Sequence, residues 1–389
     1  MTSAHANPGD LTPFDYRPRT RVVFGAGASG RTGEFAKELG GRRVLLVTDP
    51  GIVRAGHAGR IRASLEAAGL TVVVYDFVRE NPTTQDVNAC LLAARQANVD
   101  LMVGLGGGSS MDTAKGCNFL LTNGGEMKDY RGVGRATKPM LPLIAIPTTA
   151  GTGSECQSAA LIADEVTHQK MACLDPKAAA RVAILDPELT VSQPRRVTAC
   201  TGLDAIAHAV ETAVTARRTT LSSMYSREAF RLCAGAFPVV LANPGNIEAR
   251  GRMLLGAAMA GTAIENSMLG AAHAAANPLT ARFGIIHGQA VGMMLPGVVR
   301  FNAEDHGAHA AYETLAAEAG IAEGVEGLVT FLAGAVRAAE LPMTLGSCGV
   351  GEDAVEELAA EAATQWTAQF NPRGISAPDF ATLYRTLLG

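Results

Sequence analysis

VDLMVGLGGGSSMDTAK, residues 99–115, reads as an apolar β-strand that ends in three consecutive glycines and opens a helix. Strand, glycine turn and helix in that order are most of a βαβ unit, and the flanking sequence supplies more of them. Upstream, RVVFG at 21–25 precedes a helix from about Thr32, VLLVTD at 44–49 precedes a helix through 58–68, and TVVVYDF at 71–77 precedes a helix across 85–97. Downstream, LIAIPTT follows at 143–149. Strands separated by helices of this length imply a parallel, Rossmann-like sheet covered on both faces.

Beyond about Pro187 the strand-like runs disappear and Ala-rich segments with a spacing of three to four residues take over. ACTGLDAIAHAVETAV, YSREAFRLCAGAF, EARGRMLLGAAMAGTAI and GVEGLVTFLAGAVRAAE read as helices, with breaks expected at Pro238, Pro244, Pro278 and Pro296. The expected division is an α/β domain over 1–190 and an all-helical domain over 191–389, with the boundary in DPELTVSQP at 186–194. There is no internal repeat or low-complexity tract, and the first 20 residues are expected to be poorly ordered.

A chain of 389 residues is long enough for two such cores. With 48% apolar and 18% charged residues it is a globular protein, not a disordered one. A net charge of -4 with both signs scattered leaves no basic stripe, which excludes nucleic acid as the expected partner. Seven dispersed cysteines contain no CxxC pair and no secreted disulfide framework. The N-terminus resembles neither a signal nor a transit peptide, and no apolar run approaches the roughly 18 to 20 residues that span a bilayer. A cytoplasmic protein without a membrane partner is expected.

Two glycine loops compete for a phosphate group. Gly25-Ala-Gly27-Ala-Ser-Gly30 is a literal GxGxxG between a strand and a helix, with Asp49 ending the next strand at a distance suited to a ribose hydroxyl. Gly106-Gly107-Gly108-Ser109 lets backbone N–H groups approach a pyrophosphate, and the helix that follows directs its positive end at the same anion. Either is also what a tight strand-to-helix turn looks like. A third loop, Pro147 to Glu155, concentrates hydroxyls and glycines; it suits a ribose or an amide, or is a helix cap in which Glu155 boxes with Thr152.

In the helical half, Asp204 and His208 stand four apart and project from one helix face. His273 and His287 sit in strongly apolar surroundings, where an unsatisfied imidazole is costly. One carboxylate and three imidazoles make a plausible divalent-metal set, against which stands the reading that each histidine is a satisfied core residue. His306 and His309, in FNAEDHGAH, suggest a solvated turn.

These motifs together resemble the iron-containing, group III alcohol dehydrogenase family: GGGSSMDTAK, PTTAGTGSE, DPELT, GLDAIAHAVE and the spaced His273 and His287 stand in the family's order across nearly the whole chain. The resemblance implies a nucleotide-binding α/β domain, a helical domain and an active site in the cleft between them. It implies Asp204, His208, His273 and His287 as ligands of Fe²⁺, with Zn²⁺ as the alternative ion. Gly107, Gly108 and Ser109 become the pyrophosphate loop, with Asp112 a further cofactor-binding residue, so GAGASG is demoted to a structural turn. Thr148, Thr149 and Thr152 are implied at the nicotinamide, Asn81 and Lys170 at the riboses, and Asp49 at the adenosine ribose. A carboxylate there repels a 2′-phosphate, so NAD is expected rather than NADP.

The implied activity is hydride transfer between NAD(H) and a small primary alcohol or aldehyde, by a homodimer or higher homo-oligomer. One departure is Asn277, where many family members carry a second, non-ligand histidine near the substrate; an amide orients but does not titrate near neutral pH. The alternative is a cyclase or lyase of the dehydroquinate synthase type that uses NAD transiently, which resembles this chain less because such enzymes carry several cations for an anionic substrate.

Overall fold

In the computed structural model, which describes residues 12–166 and 169–389, the apolar runs of the first half become strands. These are β1 (Arg21–Phe24), β2 (Arg43–Val47), β3 (Thr71–Tyr75), β4 (Leu101–Gly106), β5 (Gly132–Val133), β6 (Leu143–Pro147), β7 (Ala159–Ala163), β8 (Lys170–Leu174) and β9 (Val182–Leu185). Between them run α1 (Thr32–Glu38), α2 (Pro50–Arg54), α3 (His57–Ala67), α4 (Thr84–Gln96) and α5 (Gly108–Asn123). Six strands form one parallel sheet in the order β1-β9-β6-β4-β2-β3.

Alternate residues of each strand enter opposite cores, as the period of two requires. Leu45, Val47, Met102 and Ala145 pack with Val87, Cys90, Met111 and Cys117 of α4 and α5, whereas Val44, Leu46, Leu101, Val103 and Ile144 pack with Phe35, Ile61 and Leu65 of α1 and α3. β4 and β6 are buried along their whole lengths. Each such Val, Leu or Ile contributes roughly 1.5–3 kcal/mol by leaving water. From β2 the chain moves outward to β3, and from β4 it moves to β6 on the other side. The reversal places the loops after β2 and β4 side by side at the carboxyl ends of the strands, where open α/β sheets receive their ligands.

Two features were not legible as elements. VAIL at 182–185 enters the sheet between β1 and β6, and a small second sheet of order β5-β8-β7, with β7 and β8 antiparallel, follows the strictly alternating part. AALIA and KMACL are short, Ala-containing runs of modest strand propensity, so their pairing is decided by contact.

Arg17–Gln193 forms one compact unit. The other is Pro194–Gly389, joined by residues 12–16. Residues 1–11 of the segment expected to be poorly ordered lie outside the described residues, but 12–20 are placed: the Tyr16 hydroxyl is 3.0 Å from that of Tyr225, and Thr20 Oγ1 donates to Ala180 O.

The second unit is α6 (Arg195–Val214), α7 (Thr220–Ala242), α8 (Ile247–Glu265), α9 (Ala271–Phe283), α10 (His287–Asn302), α11 (His306–Glu318), α12 (Gly324–Ala338), α13 (Val355–Thr364) and α14 (Ala377–Arg385). Every residue of α6 from Gly202 to Val214 is buried, the mark of a central helix covered on all sides. Of the expected proline breaks only Pro244 lies between helices; Pro238, Pro278 and Pro296 lie inside α7, α9 and α10. Proline forfeits one backbone hydrogen bond, yet buried neighbours such as Phe237 and Val240 hold the helix on both sides of the exposed Pro238 ring. Among the described residues, no helix is long and apolar enough to cross a membrane.

Candidate functional site

The glycine loop after β4 is an open helix N-terminus. Gly106 adopts φ +146°, a backbone conformation that side chains rarely tolerate, and a Cβ there would overlap Ser110. Gly107 caps α5 with no side-chain hydrogen bond, so the first amides of a 16-residue helix are left for an outside acceptor. The loop after β6 lies against it: a Cβ on Gly107 would be 3.4 Å from Thr149 Oγ1, and one on Gly108 would be 2.9 Å from Thr152 Cγ2.

The other cofactor candidates gather around this turn. Asp49 caps α2, its Oδ1 accepting from Gly51 and Ile52 at 2.8 and 3.1 Å, while Oδ2 faces Gly106. Asn81, in the left-handed region at φ +51°, donates its backbone N–H to Ser109 Oγ at 3.2 Å, and Lys170 Nζ donates to Asn81 Oδ1 at 3.4 Å. Thr148 is buried, and its carbonyl accepts from Gln193. Asp112, one turn into α5, accepts from Ser154 Oγ at 3.4 Å; burial pushes its carboxyl up to about 6 against the pull of Lys115 and Lys170.

The rival GAGASG turn is already filled. Asp186, in DPELT, accepts from the amides of Gly27 and Ser29 with its two carboxylate oxygens, each at 3.1 Å. An internal carboxylate sits where a phosphate would, so this fingerprint is a structural turn.

In the helical unit, α6 carries Asp204 and His208 on one face, α9 carries His273 in its first turn and α10 begins at His287. Gly288 makes this convergence possible, because a Cβ there would overlap the Cys200 carbonyl oxygen and hold α10 away from α6. The Nε2 atoms of His273, His208 and His287 lie 3.4, 3.5 and 3.8 Å from Asp204 Oδ1. The rings of His208 and His273 stack at 4.8 Å. Asp204, His208 and His273 are buried, with candidate ligand atoms within 4.8 Å of one another, whereas His287 is partly open.

Asp204 Oδ1 and His273 Nε2 are buried without a hydrogen-bond partner, and leaving such atoms bare costs on the order of 1–3 kcal/mol each. Burial alone would raise the Asp204 carboxyl, but the three imidazoles hold it well below the usual carboxylate range. Burial alone would lower His273, but Glu211 and Asp204 push it up to about 9. A site that draws a proton so strongly has the charge to retain a cation, and a mixed carboxylate and imidazole set suits a divalent transition metal.

Family models match this arrangement along almost the entire chain: iron-containing alcohol dehydrogenase over residues 18–187, and the C-terminal part of the same family over 198–388. The chain belongs to the iron-containing alcohol dehydrogenase family. It is 35% identical over 390 residues to the NAD-dependent methanol dehydrogenase of Bacillus methanolicus, covering 97% of this chain and all of that one. It is 33% identical to the lactaldehyde reductase of Escherichia coli K12, covering 93% and 96% of the two chains. A solved 1,3-propanediol oxidoreductase superimposes with a TM-score of 0.93 at 30% identity, over 97% of this chain and all of that one.

In this iron-containing alcohol dehydrogenase, Asn277 lies one turn beyond His273 on α9, and its Nδ2 donates to Gln365 Oε1 at 3.0 Å. His306 and His309 lie exposed at the start of α11, not in a turn. The cap expected of Glu155 is not made: Thr152 Oγ1 accepts from Ser154 N–H, and Glu155 is buried with Oε1 unpartnered. Two residues that matter were not singled out. Lys115, fully buried, donates from Nζ to Ser154 O, Ser154 Oγ, Gln157 O and Ala159 O at 2.7–2.9 Å, fastening the 147–157 loop to α5. Glu211 pairs with His273 Nδ1. Its spacing of seven from Asp204, two helical turns on the same face, was the available signal.

Proposed function

We propose that this member of the iron-containing alcohol dehydrogenase family moves a hydride between NAD(H) and a small primary alcohol or aldehyde. The observation that carries the reading is the pair of buried, unpartnered atoms Asp204 Oδ1 and His273 Nε2, aimed at one point beside His208 and His287. These four side chains hold the metal. A divalent ion held there, Fe²⁺ or its tighter-binding competitor Zn²⁺, would supply Lewis-acid polarisation of an alcohol or carbonyl oxygen. Asn277, with its amide set by Gln365, orients a hydroxyl or a water, and because it does not titrate, proton transfer at this position falls to water and hydroxyl groups.

Gly107, Gly108, Ser109 and the N-terminus of α5 bind the pyrophosphate of NAD, with Thr148, Thr149 and Thr152 at the nicotinamide end. Asn81, Lys170, Asp112 and Asp49 complete the binding of NAD, and the Asp49 carboxylate disfavours NADP.

Small uncharged substrates are supported by the absence of lysine between 200 and 290 and by the engagement of arginines there with other partners: Arg218 with Val214 and Thr215, Arg231 with Glu228, Arg252 with Glu248, and Arg282 with Glu357 and Glu361. The same absence argues against a cyclase of the dehydroquinate synthase type. The relatives named for methanol, lactaldehyde and propanediol point to the same substrate class. Seven free cysteines suit a cytoplasmic location. The edge strand β1, with Val22 and Phe24 about half exposed, suits a homodimer or higher homo-oligomer.

NADH oxidation by metal-stripped protein, refilled separately with Fe²⁺ or Zn²⁺ and offered a panel of short aldehydes, tests the reading. Activity restored by an ion is expected; silence with every ion and aldehyde, despite NADH binding, overturns it.

A further inference from the structure

Glu211 stands on α6 behind the histidines, 3% exposed. Its Oε2 pairs with His273 Nδ1, and its Oε1 accepts the backbone N–H of Ala272 at 2.7 Å. Both oxygens are thus used, one on a ligand side chain and one on the backbone of the adjoining residue. A carboxylate only accepts, so the proton on the imidazole belongs to Nδ1. In the neutral imidazole that a cation would bind, the lone pair is then left on Nε2, which lies 3.4 Å from Asp204 Oδ1 and has no hydrogen-bond partner.

The first turn of α9 depends on the same carboxylate. Gly270 is the N-cap and has no side chain to offer, so the leading amides need acceptors from elsewhere. Asn371 Oδ1 accepts from Ala271 N–H at 3.3 Å, and Glu211 accepts from Ala272. Asn371 is itself locked to Asn302 by amide hydrogen bonds of 2.6 and 3.0 Å. An anion at a helix N-terminus is also favoured by the helix dipole.

We propose that Glu211 is the positioning residue of the metal site: it fixes the tautomer and orientation of His273 and, through the Ala272 amide, couples cation loading to the order of the first turn of α9. This rests on the assignment of Asp204, His208, His273 and His287 as the cation site. A carboxylate behind a ligating imidazole typically contributes 10–100-fold to metal affinity. Here that contribution and the capping of α9 run through one side chain.

The test uses the full chain, stripped of metal and reloaded with Co²⁺ alone. Affinity is read by chelator competition, and backbone order by hydrogen exchange of the 271–275 amides. Glu211→Gln keeps the side-chain volume and one acceptor oxygen, so it satisfies either His273 or Ala272 but not both. It is expected to bind Co²⁺ about tenfold more weakly than the parent, and Glu211→Ala about a hundredfold more weakly. In the parent, Co²⁺ slows exchange at 271–275; in Glu211→Gln that slowing is largely lost. If Glu211→Ala does not fold, Glu211→Gln decides. A Glu211→Gln protein with a lowered unfolding temperature but unchanged Co²⁺ affinity makes Glu211 merely structural and overturns the proposal. His273→Ala separates the two levels: undiminished Co²⁺ binding in that variant overturns the cation site itself, and the role of Glu211 with it.

Discussion

The carboxylate of Asp186 accepts the backbone amide of Gly27 at 3.1 Å, across 159 residues of sequence. That bond separates two otherwise similar glycine turns, since one has its amides filled from within and the other leaves the start of α5 open. Gly27→Ala, at φ +75° with free space around the new methyl group, should cost about 1–2 kcal/mol of stability and leave KM for NADH within twofold. Gly108→Ala places a methyl 2.9 Å from Thr152 Cγ2 in the cradle and should raise that KM at least tenfold. Steady-state kinetics and thermal unfolding of the two variants check this; the opposite pattern would put the nucleotide on the first turn.

Lys115 Nζ satisfies three carbonyls and one hydroxyl in the interior. Lys115→Met removes the ammonium from all four acceptors, leaving Ser154 O only the Gln157 N–H and Ser154 Oγ only its bond to Asp112, and should destabilise the protein by roughly 3–5 kcal/mol in urea unfolding. NADH binding should weaken as the 147–157 loop loosens. An unchanged unfolding midpoint would show that the ammonium fastens nothing.

Glu155 is pushed up to about 7 by burial, against smaller downward pulls from its own backbone amide and Lys115. A carboxyl raised in this way stabilises the fold fully below its unfolded value of 4.5, and that contribution is lost as the pH rises through about 7. Glu155→Gln does not titrate, so its advantage over the parent should grow from little at pH 5 to on the order of 1–3 kcal/mol at pH 8. Denaturant unfolding at the two pH values measures it, and an advantage independent of pH would mean that burial does not raise the Glu155 carboxyl above its unfolded value.

Asp49 caps α2 and is proposed to face the adenosine ribose of NAD, and one substitution separates the two. Asparagine preserves the cap on α2 but removes the charge. Asp49→Asn should therefore keep its thermal stability and shift the ratio of kcat/KM for NADPH over NADH upward by about tenfold, on the order of 1.4 kcal/mol of discrimination. An unchanged ratio would show that Oδ2 does not face the ribose.

Asp204→Ala and His208→Ala should each lower turnover by at least a thousandfold while the Kd for NADH, read by fluorescence, stays within threefold. The proposed ligands and the proposed glycine cradle belong to different compact units, which is why the two properties are expected to separate. Retained turnover in both variants would sink the metal assignment.

Local pattern was enough for the alternation of strands and helices in the first half, the glycine turn that opens α5, and the Asp204 and His208 pair, because periods of two and 3.6 residues are written in neighbouring positions. It was also enough to overlook Pro238, Pro278 and Pro296 as helix residues, since a lost backbone bond is offset by packing that no window of sequence displays. β7, β8 and β9 were missed for a related reason: short Ala-containing runs become strands only beside a partner.

By itself, then, the sequence determined the classes of element, their order and the residue types able to hold an anion or a cation. The family resemblance implied which glycine turn is open, but the physical cause lies in the tertiary structure, where Asp186 fills the other from a distant loop. Tertiary structure alone brought His273 and His287 onto Asp204, through the close approach of Gly288 to Cys200, and set Glu211 behind them. Periodicity is carried by adjacent residues, whereas the partner of a buried polar atom is chosen by packing between helices far apart in the chain.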